Sequence, residues 1–469
     1  MMQFVCAQGV PTKTSLLSDQ KTQVKINDRS QIKKTTQNQL MISMQAESYL
    51  QSSELADSSE QAFLFRHQFD FKKGQNSVRT NLILGGYQKN KSYFGAVPEL
   101  YYQHFSTDTV SQKITNKYTL GRQILDASHL DQKFNLGLVN PYYTQDFISY
   151  QSQGLIGFHQ EISSENWAFN ISLLPLYLPN QGPTVKEVDG KIQGSNRWVK
   201  KPPTKLAFND ASKEIIYTVD YSDISKLVLT PGALAQFRLG QLKNKIHWVT
   251  SVSKRPMNET VLERETFGNL DVIGNVNLVP NVIYNDLLTT EVRYQNQHFR
   301  SALSYVTDRP ENKTARDFYS IQKLNSISGY SIYFEYDVPS LQNRSVLLGM
   351  AYANFFGGEI IDINSDGTEN LLTFSKQRLQ FLKPMQLYIK ADLFKVYNKL
   401  VKNSTKWIYD QQQKGSVLSS EFNAQTLNNL NLRLGFDLIG TEEQKTEDYG
   451  FLQDFQANDR IYAGLDYVF

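Results

Sequence analysis

From residue 41 onward the chain places apolar side chains at every second position, the spacing that gathers them on one face of a β-strand. Phe63, Phe65, Phe69 and Phe71 alternate with Leu64, Arg66, Gln68 and Asp70, and His67 is the exception on the phenylalanine face. Tyr330, Ile332, Phe334, Tyr336 and Val338 oppose Ser331, Tyr333, Glu335 and Asp337. The cleanest run sets Leu430, Leu432, Leu434, Phe436 and Leu438 against Asn431, Arg433, Gly435 and Asp437. Trp167, Phe169, Ile171 and Leu173 form a fourth such face, and Leu387, Ile389, Ala391 and Leu393, opposite Gln386, Lys390 and Asp392, a fifth.

These runs extend for about nine to eleven residues, the length of a tilted strand crossing a bilayer, where soluble sheets average about five or six. Short turns alternate with longer polar loops such as 308–325 and 362–368, as in a barrel with one tight rim and one decorated rim. The pattern predicts an all-β fold, a closed antiparallel transmembrane β-barrel of about 16–18 strands. Segments 278–297 and 371–382 leave the count open. A soluble sandwich or propeller would also alternate, but propeller blades recur every 40 to 50 residues or so, and no such repeat is present.

Composition agrees with that reading. Mean hydropathy is −0.44, and no stretch approaches the roughly 18 to 20 apolar residues of a membrane helix, yet 26 Tyr and 27 Phe are present. A barrel with half of each strand toward lipid and half toward a polar lumen explains both facts. The net charge of +3, without a dense basic stripe, argues against nucleic acid as a partner. Cys6 is the single cysteine, so neither a disulfide nor a thiolate metal site is expected. Val5 and Ala7 are spaced like the residues before a signal-peptidase cut, and 1–7 is read as a signal-peptide remnant. Residues 8–40, polar and poor in periodic apolarity, are expected to be a flexible N-terminal segment, with the barrel occupying 41–469.

The last segment, 461–469, ends with Leu465, Tyr467 and Phe469 at alternate positions and Gly464 beside them. It resembles the C-terminal signature of Gram-negative bacterial outer-membrane β-barrel proteins, a porin-like class whose sub-family these residues do not specify. Tyr462 departs from the signature, which carries a polar residue there. The resemblance covers about ten residues and implies the outer membrane as location, outer-membrane lipid and lipopolysaccharide as surroundings, and recognition by the barrel-assembly machinery through an exposed strand edge.

The insertion 179–226 is too long for a turn and locally basic, and long loops inside compact domains are usually functional. Lys186, Lys191, Arg197, Trp198, Lys200, Lys201 and Lys205 are candidate pore-constriction residues, the cations favouring anions and Trp198 stacking on a sugar ring. An external loop with merely solvated lysines is the alternative. Enzymatic chemistry has little support: His104-Phe105-Ser106 before Asp108 reads more simply as a rim histidine entering a polar loop. Asp362, Asn364, Asp366 and Gly367 mimic the start of a calcium loop, but Thr373 replaces its closing Glu, and an Asx-rich turn is the simpler reading. No cofactor or metal is expected. Two functions remain: a channel for small hydrophilic solutes, anionic ones or saccharides included, or a structural, partner-binding barrel with a blocked lumen. An oligomer is compatible with either.

Overall fold

The computed structural model describes residues 34–51, 59–88, 92–107, 114–199, 202, 204–208, 211–220, 224–240, 246–266, 274–317, 319–341, 344–370, 377–396, 399–426, 429–442 and 450–469. Eighteen strands form one closed antiparallel sheet. They are β1 (Lys34–Tyr49), β2 (Ser59–Lys73), β3 (Asn76–Tyr87), β4 (Ser92–Thr107), β5 (Thr115–Gln123) and β6 (Leu155–Ser163). The middle third comprises β7 (Trp167–Leu174), β8 (Gly232–Leu239), β9 (Ile246–Pro256), β10 (Tyr284–Gln295), β11 (Phe299–Pro310) and β12 (Ile327–Leu341). The last third is β13 (Arg344–Gly357), β14 (Pro384–Val396), β15 (Lys399–Asp410), β16 (Gly415–Gln425), β17 (Leu430–Thr441) and β18 (Arg460–Val468). Each strand pairs with its sequence neighbour, and β18 returns to β1 with Met41 opposite Val468 and Tyr49 opposite Arg460. Closure satisfies the backbone of every strand and leaves no edge, the condition for a sheet surrounded by lipid.

The five alternating faces of the sequence all point outward. Phe63, Ile171, Leu173, Ile332, Leu387, Ile389 and Leu434 are exposed on the outer surface, while their polar neighbours, such as Asn170, Ser172, Ser331, Gln386 and Arg433, are buried on the lumen side. The first strand begins at Lys34, so 34–40, expected to be flexible, belongs to the barrel. There Gln37 lies opposite Asp70 and Asn38 opposite Phe69, and the Asn38 side chain meets His67 Nε2 at 2.9 Å. A strand end beyond the apolar belt needs no hydrophobic alternation, which is why periodicity missed it. Residues 1–33, with the signal-peptide remnant and most of the 8–40 segment, lie outside the described residues.

Connections alternate between a short-turn rim, where β1 begins and β18 ends, and a long-loop rim. At the long-loop rim four connections add a seven-stranded sheet made from 205–208, 211–219, 274–281, 261–266, 319–324, 360–364 and 369–370. Of the two open segments, 278–281 belongs to the added sheet and 284–295 is β10, while 377–382 contributes no barrel strand and 371–376 lie outside the described residues. Asp362 is buried in the added sheet against Arg264, and the turn after it closes through Asp366 and Thr368, the pattern of a surface turn.

Candidate functional site: a loop folded into the lumen

The connection from β5 to β6, residues 124–154, runs into the barrel. Its outgoing half is a self-contained lobe. Ser128 caps the helix α1 (His129–Phe134), its hydroxyl accepting from Asp131 N at 3.2 Å, and Asn135 ends it in the left-handed conformation. The Asp131 carboxylate accepts the N–H groups of Leu138, Val139 and Asn140 at 2.7, 3.1 and 3.3 Å. Burial still pushes that carboxyl up to about 6, with the three donors opposing the rise. At the neck, Asn140 Nδ2 donates to Leu125 O at 2.7 Å while Leu125 N donates to Asn140 Oδ1 at 3.0 Å.

The lobe is seated on an apolar patch of the inner wall. Leu125, Leu130, Phe134, Leu136, Leu138 and Val139 bury themselves with Leu287, Ala302, Val306, Ile327, Ala351, Ala353 and Phe355 of β10 to β13. Polar pins surround this seat. Arg255 of β9 donates to the carbonyls of Leu138 and Val139. Arg293 of β10 reaches Asp126 at 3.0 Å, and Glu291 accepts His129 N–H at 2.9 Å. Lys133 pairs with Glu335 of β12 and donates to Tyr388 Oη of β14 at 3.1 Å.

The returning half crosses toward β18, β1 and β2. Asp146 accepts the N–H groups of Ile148 and Ser149 at 2.9 and 3.0 Å and pairs with Arg460. Arg460 also meets Glu47 at 3.1 Å and Asp437 at 2.7 Å, all of these side chains fully or almost fully buried. Burial pushes the Asp146 carboxyl up to about 6, Arg460 holding it down and Asp437 adding to the rise. Farther along, Arg66 of β2 donates to Gln151 at 2.6 Å. The loop is thus tied to several separate stretches of wall.

Of the expected constriction residues, Lys186, Lys191 and Lys205 are exposed at the long-loop rim, and Lys200 and Lys201 lie outside the described residues. The insertion is not structureless. Val185–Val188 and Lys191–Gly194 form a hairpin turned by Asp189 and Gly190, both at positive φ, the geometry that makes Asp-Gly a strong hairpin signal. Arg197 is a tie rather than a solute contact: it donates to Asn458 Oδ1 at 3.2 Å, Gln51 O at 3.0 Å and Ala457 O at 2.6 Å. Trp198 has 0% exposure. Its ring packs 5.4 Å from that of Phe455, so it offers no open face to a sugar, a correction forced by the apolar cluster it shares with Tyr143, Phe381 and Leu452. Sequence reasoning missed Lys133, Glu335 and Tyr388, although Glu335 and Lys390 already stood on polar faces of predicted strands.

No family model matches the chain, and no curated protein is similar to it. Solved structures similar to it include a mutant porin of Rh. blastica, 10% identical, covering 93% of this chain and 100% of that one, with a TM-score of 0.36. A loop-deletion mutant of OmpT, an outer membrane protein of Vibrio cholerae, is 7% identical over 93% and 99%, with a TM-score of 0.39. At such scores the likeness adds nothing to what strand count and closure already establish. The build is that of a closed antiparallel β-barrel of eighteen strands.

The terminal strand turns alternate side chains outward. Leu465, Tyr467 and Phe469 are exposed on the outer face, the last two rings 4.6 Å apart. Gly464 and Tyr462 face the lumen. A Cβ at Gly464 would stand 3.0 Å from Arg433 Nη2, and Tyr462 is buried with its hydroxyl 3.4 Å from Glu421. The aromatic at the departing position therefore sits among polar groups. His104 meets Asn76 Oδ1 at 2.8 Å near the short-turn rim, and Asp108 lies outside the described residues.

Proposed function

We propose that the chain is a diffusion channel of the bacterial outer membrane for small hydrophilic solutes, narrowed by the 124–154 loop and favouring anions. The observation that carries this reading is the loop itself, held across the lumen by an apolar seat and buried ion pairs. A wide barrel needs such an element to discriminate among solutes. Anion preference rests on the wall of β14 and β15, where Lys390, Lys402 and Lys406 occupy lumen-facing register positions. The saccharide alternative loses its aromatic platform with Trp198. In this reading the outer apolar belt meets lipid and lipopolysaccharide, and the terminal edge meets the assembly machinery.

A second reading has its own support. An apolar cluster including Trp198, Phe381, Leu452 and Phe455 lies at the long-loop mouth, and an added sheet is built there, as suits a blocked barrel presenting a surface to a partner. Planar-bilayer recording of the purified chain separates the two. Discrete current steps that grow severalfold on deleting Ala127–Val139 support the channel, and a silent bilayer in both proteins supports the blocked barrel. Selectivity is checked by reversal potential in a salt gradient, with chloride expected to exceed potassium.

A further inference from the structure

The neighbouring strands β16 to β18 and β1 to β4 form one continuous sector of the lumen wall, and its cations are shared among more carboxylates than they number. Arg460 serves Glu47, Asp437 and Asp146 of the crossing loop. Arg433 lies 2.7 Å from Asp466 and 3.8 Å from Glu421, and Arg79 lies 3.0 Å from Glu99 and 3.5 Å from Asp70. Glu60 is a further acid on this face, and Arg66 and Lys72 are its remaining cations. Among the described residues the sector thus carries three more negative than positive charges. It is open at the short-turn end, where Asp70 and Arg79 keep 33% and 30% of their side-chain surface exposed. Toward the long-loop rim Glu47 and Arg460 are fully buried.

Lys34, the first residue of β1, stands at that same open end, so the segment preceding it is tethered beside this wall. From Gln8 to Lys33 the chain carries Lys13, Lys21, Lys25, Arg29 and Lys33 against Asp19 and Asp28, an excess of three positive charges. Four of these cations recur at every fourth position, 21, 25, 29 and 33, a spacing that keeps them on one face whether a backbone is extended or helical. Fully extended, residues 21–33 reach about 40 Å at about 3.3 Å per residue, more than the roughly 25 Å height of a barrel's apolar belt. Tethering supplies an effective concentration on the order of millimolar, so contacts too weak to hold a free ligand suffice.

We propose that the basic segment 21–33 docks inside its own barrel, its cations against the acid sector of β16–β18 and β1–β4, and occupies the short-turn end of the lumen. The charge excesses are equal and opposite, and the length and the point of attachment bring them together. A wall of one net sign backed by a low-dielectric barrel holds a tethered countercharge more strongly than open water does. The crossing loop enters the lumen from the long-loop side and the segment from the other, so the two act in series on a passing solute. Docking requires only the barrel; its effect on passage rests on the channel reading.

The test uses the full chain carrying Cys6→Ser. Oxidation of Asn27→Cys with Gln68→Cys, on the lumen side of β2 beside Asp70, is expected to give a disulfide within one chain. Asn27→Cys with Gln295→Cys, across the lumen on β10, is expected to give none. Combining Lys21→Gln, Lys25→Gln, Arg29→Gln and Lys33→Gln should lower the first yield about tenfold, as should about 1 M salt, where the Debye length is about 3 Å. In planar bilayers, deletion of residues 8–33 should raise conductance about twofold. Equal yields at Gln68→Cys and Gln295→Cys would show an unseated tail and overturn the proposal, as would a disulfide formed only between chains or a yield indifferent to the four substitutions. A disulfide that forms in detergent and is lost in phosphatidylglycerol vesicles would assign the segment to the lipid surface instead. Conductance unchanged by the deletion overturns the occlusion, whereas the expected disulfide with a silent bilayer retains the docking and sinks the channel.

Discussion

Two long insertions leave the same rim and end in different places. The 124–154 loop turns inward, whereas 175–231 builds hairpins at the mouth and tucks Asn196 and Trp198 beneath them. The difference follows from side-chain chemistry. The first carries Leu125, Leu130, Phe134, Leu136, Leu138 and Val139 within one short stretch, enough apolar surface to be worth burying, at about 25 cal/mol per Å². The exposed hairpin of the second offers Val185, Lys186, Glu187 and Val188 around its turn, and gains little by leaving water. What narrows this lumen is apolar burial secured by ion pairs rather than a basic strand of loop.

The strongest way to break the comparison is at Arg460, where the inward loop and the mouth cluster meet. Arg460→Met leaves Glu47, Asp146 and Asp437 buried without their common cation, an expected loss of about 3–5 kcal/mol. Urea unfolding in lipid vesicles, followed by tryptophan fluorescence, measures it; a loss below about 1 kcal/mol would mean that water reaches this cluster.

Next in size is Phe134→Ala, which empties the contact with Phe355, whose ring is 6.4 Å away at 84°. Removal of a buried aromatic costs about 3 kcal/mol, so amide exchange at Leu138, Val139 and Asn140 should accelerate about a hundredfold. Unchanged exchange would show that the polar pins alone hold the lobe.

A smaller effect concerns pH. Asp131 titrates near 6 when docked and near 4 when exposed. The docked lobe therefore binds the proton more tightly, and docking strengthens as pH falls from about 6 to about 4. Exchange at the same amides, corrected for intrinsic pH dependence, should slow across that window, and Asp131→Asn should flatten the slope. Asp146 contributes in the same direction through its own raised value, so part of the slope persists in the variant.

The smallest effects belong to the outer insertion. Val185→Ser and Lys191→Gln, both at exposed positions, should each change stability by less than about 0.5 kcal/mol and leave single-channel conductance at the wild-type value. A marked conductance change at Lys191 would return the outer hairpin to the permeation path.

Much of the barrel was legible along the chain. Alternation marked the outward faces of β2, β7, β12, β14 and β17, and the expected 16–18 strands contain the observed eighteen, because a strand between lipid and water must change polarity at every residue. The polar start of β1 was illegible for the same reason, since beyond the lipid no alternation is demanded. The narrowing element was illegible for another: the 124–154 loop looks unremarkable beside the basic insertion.

The sequence by itself determined the strand faces, the closed antiparallel sheet and the orientation of Leu465, Tyr467 and Phe469, all properties of local period. Only the tertiary structure decided which insertion enters the lumen. Its seat is assembled from residues as distant as Leu287, Ala302, Val306 and Phe355, and its charge partners Arg255, Arg293, Glu335 and Arg460 come from four different strands. A surface that exists only after the sheet has closed leaves no local signature in the chain that will occupy it.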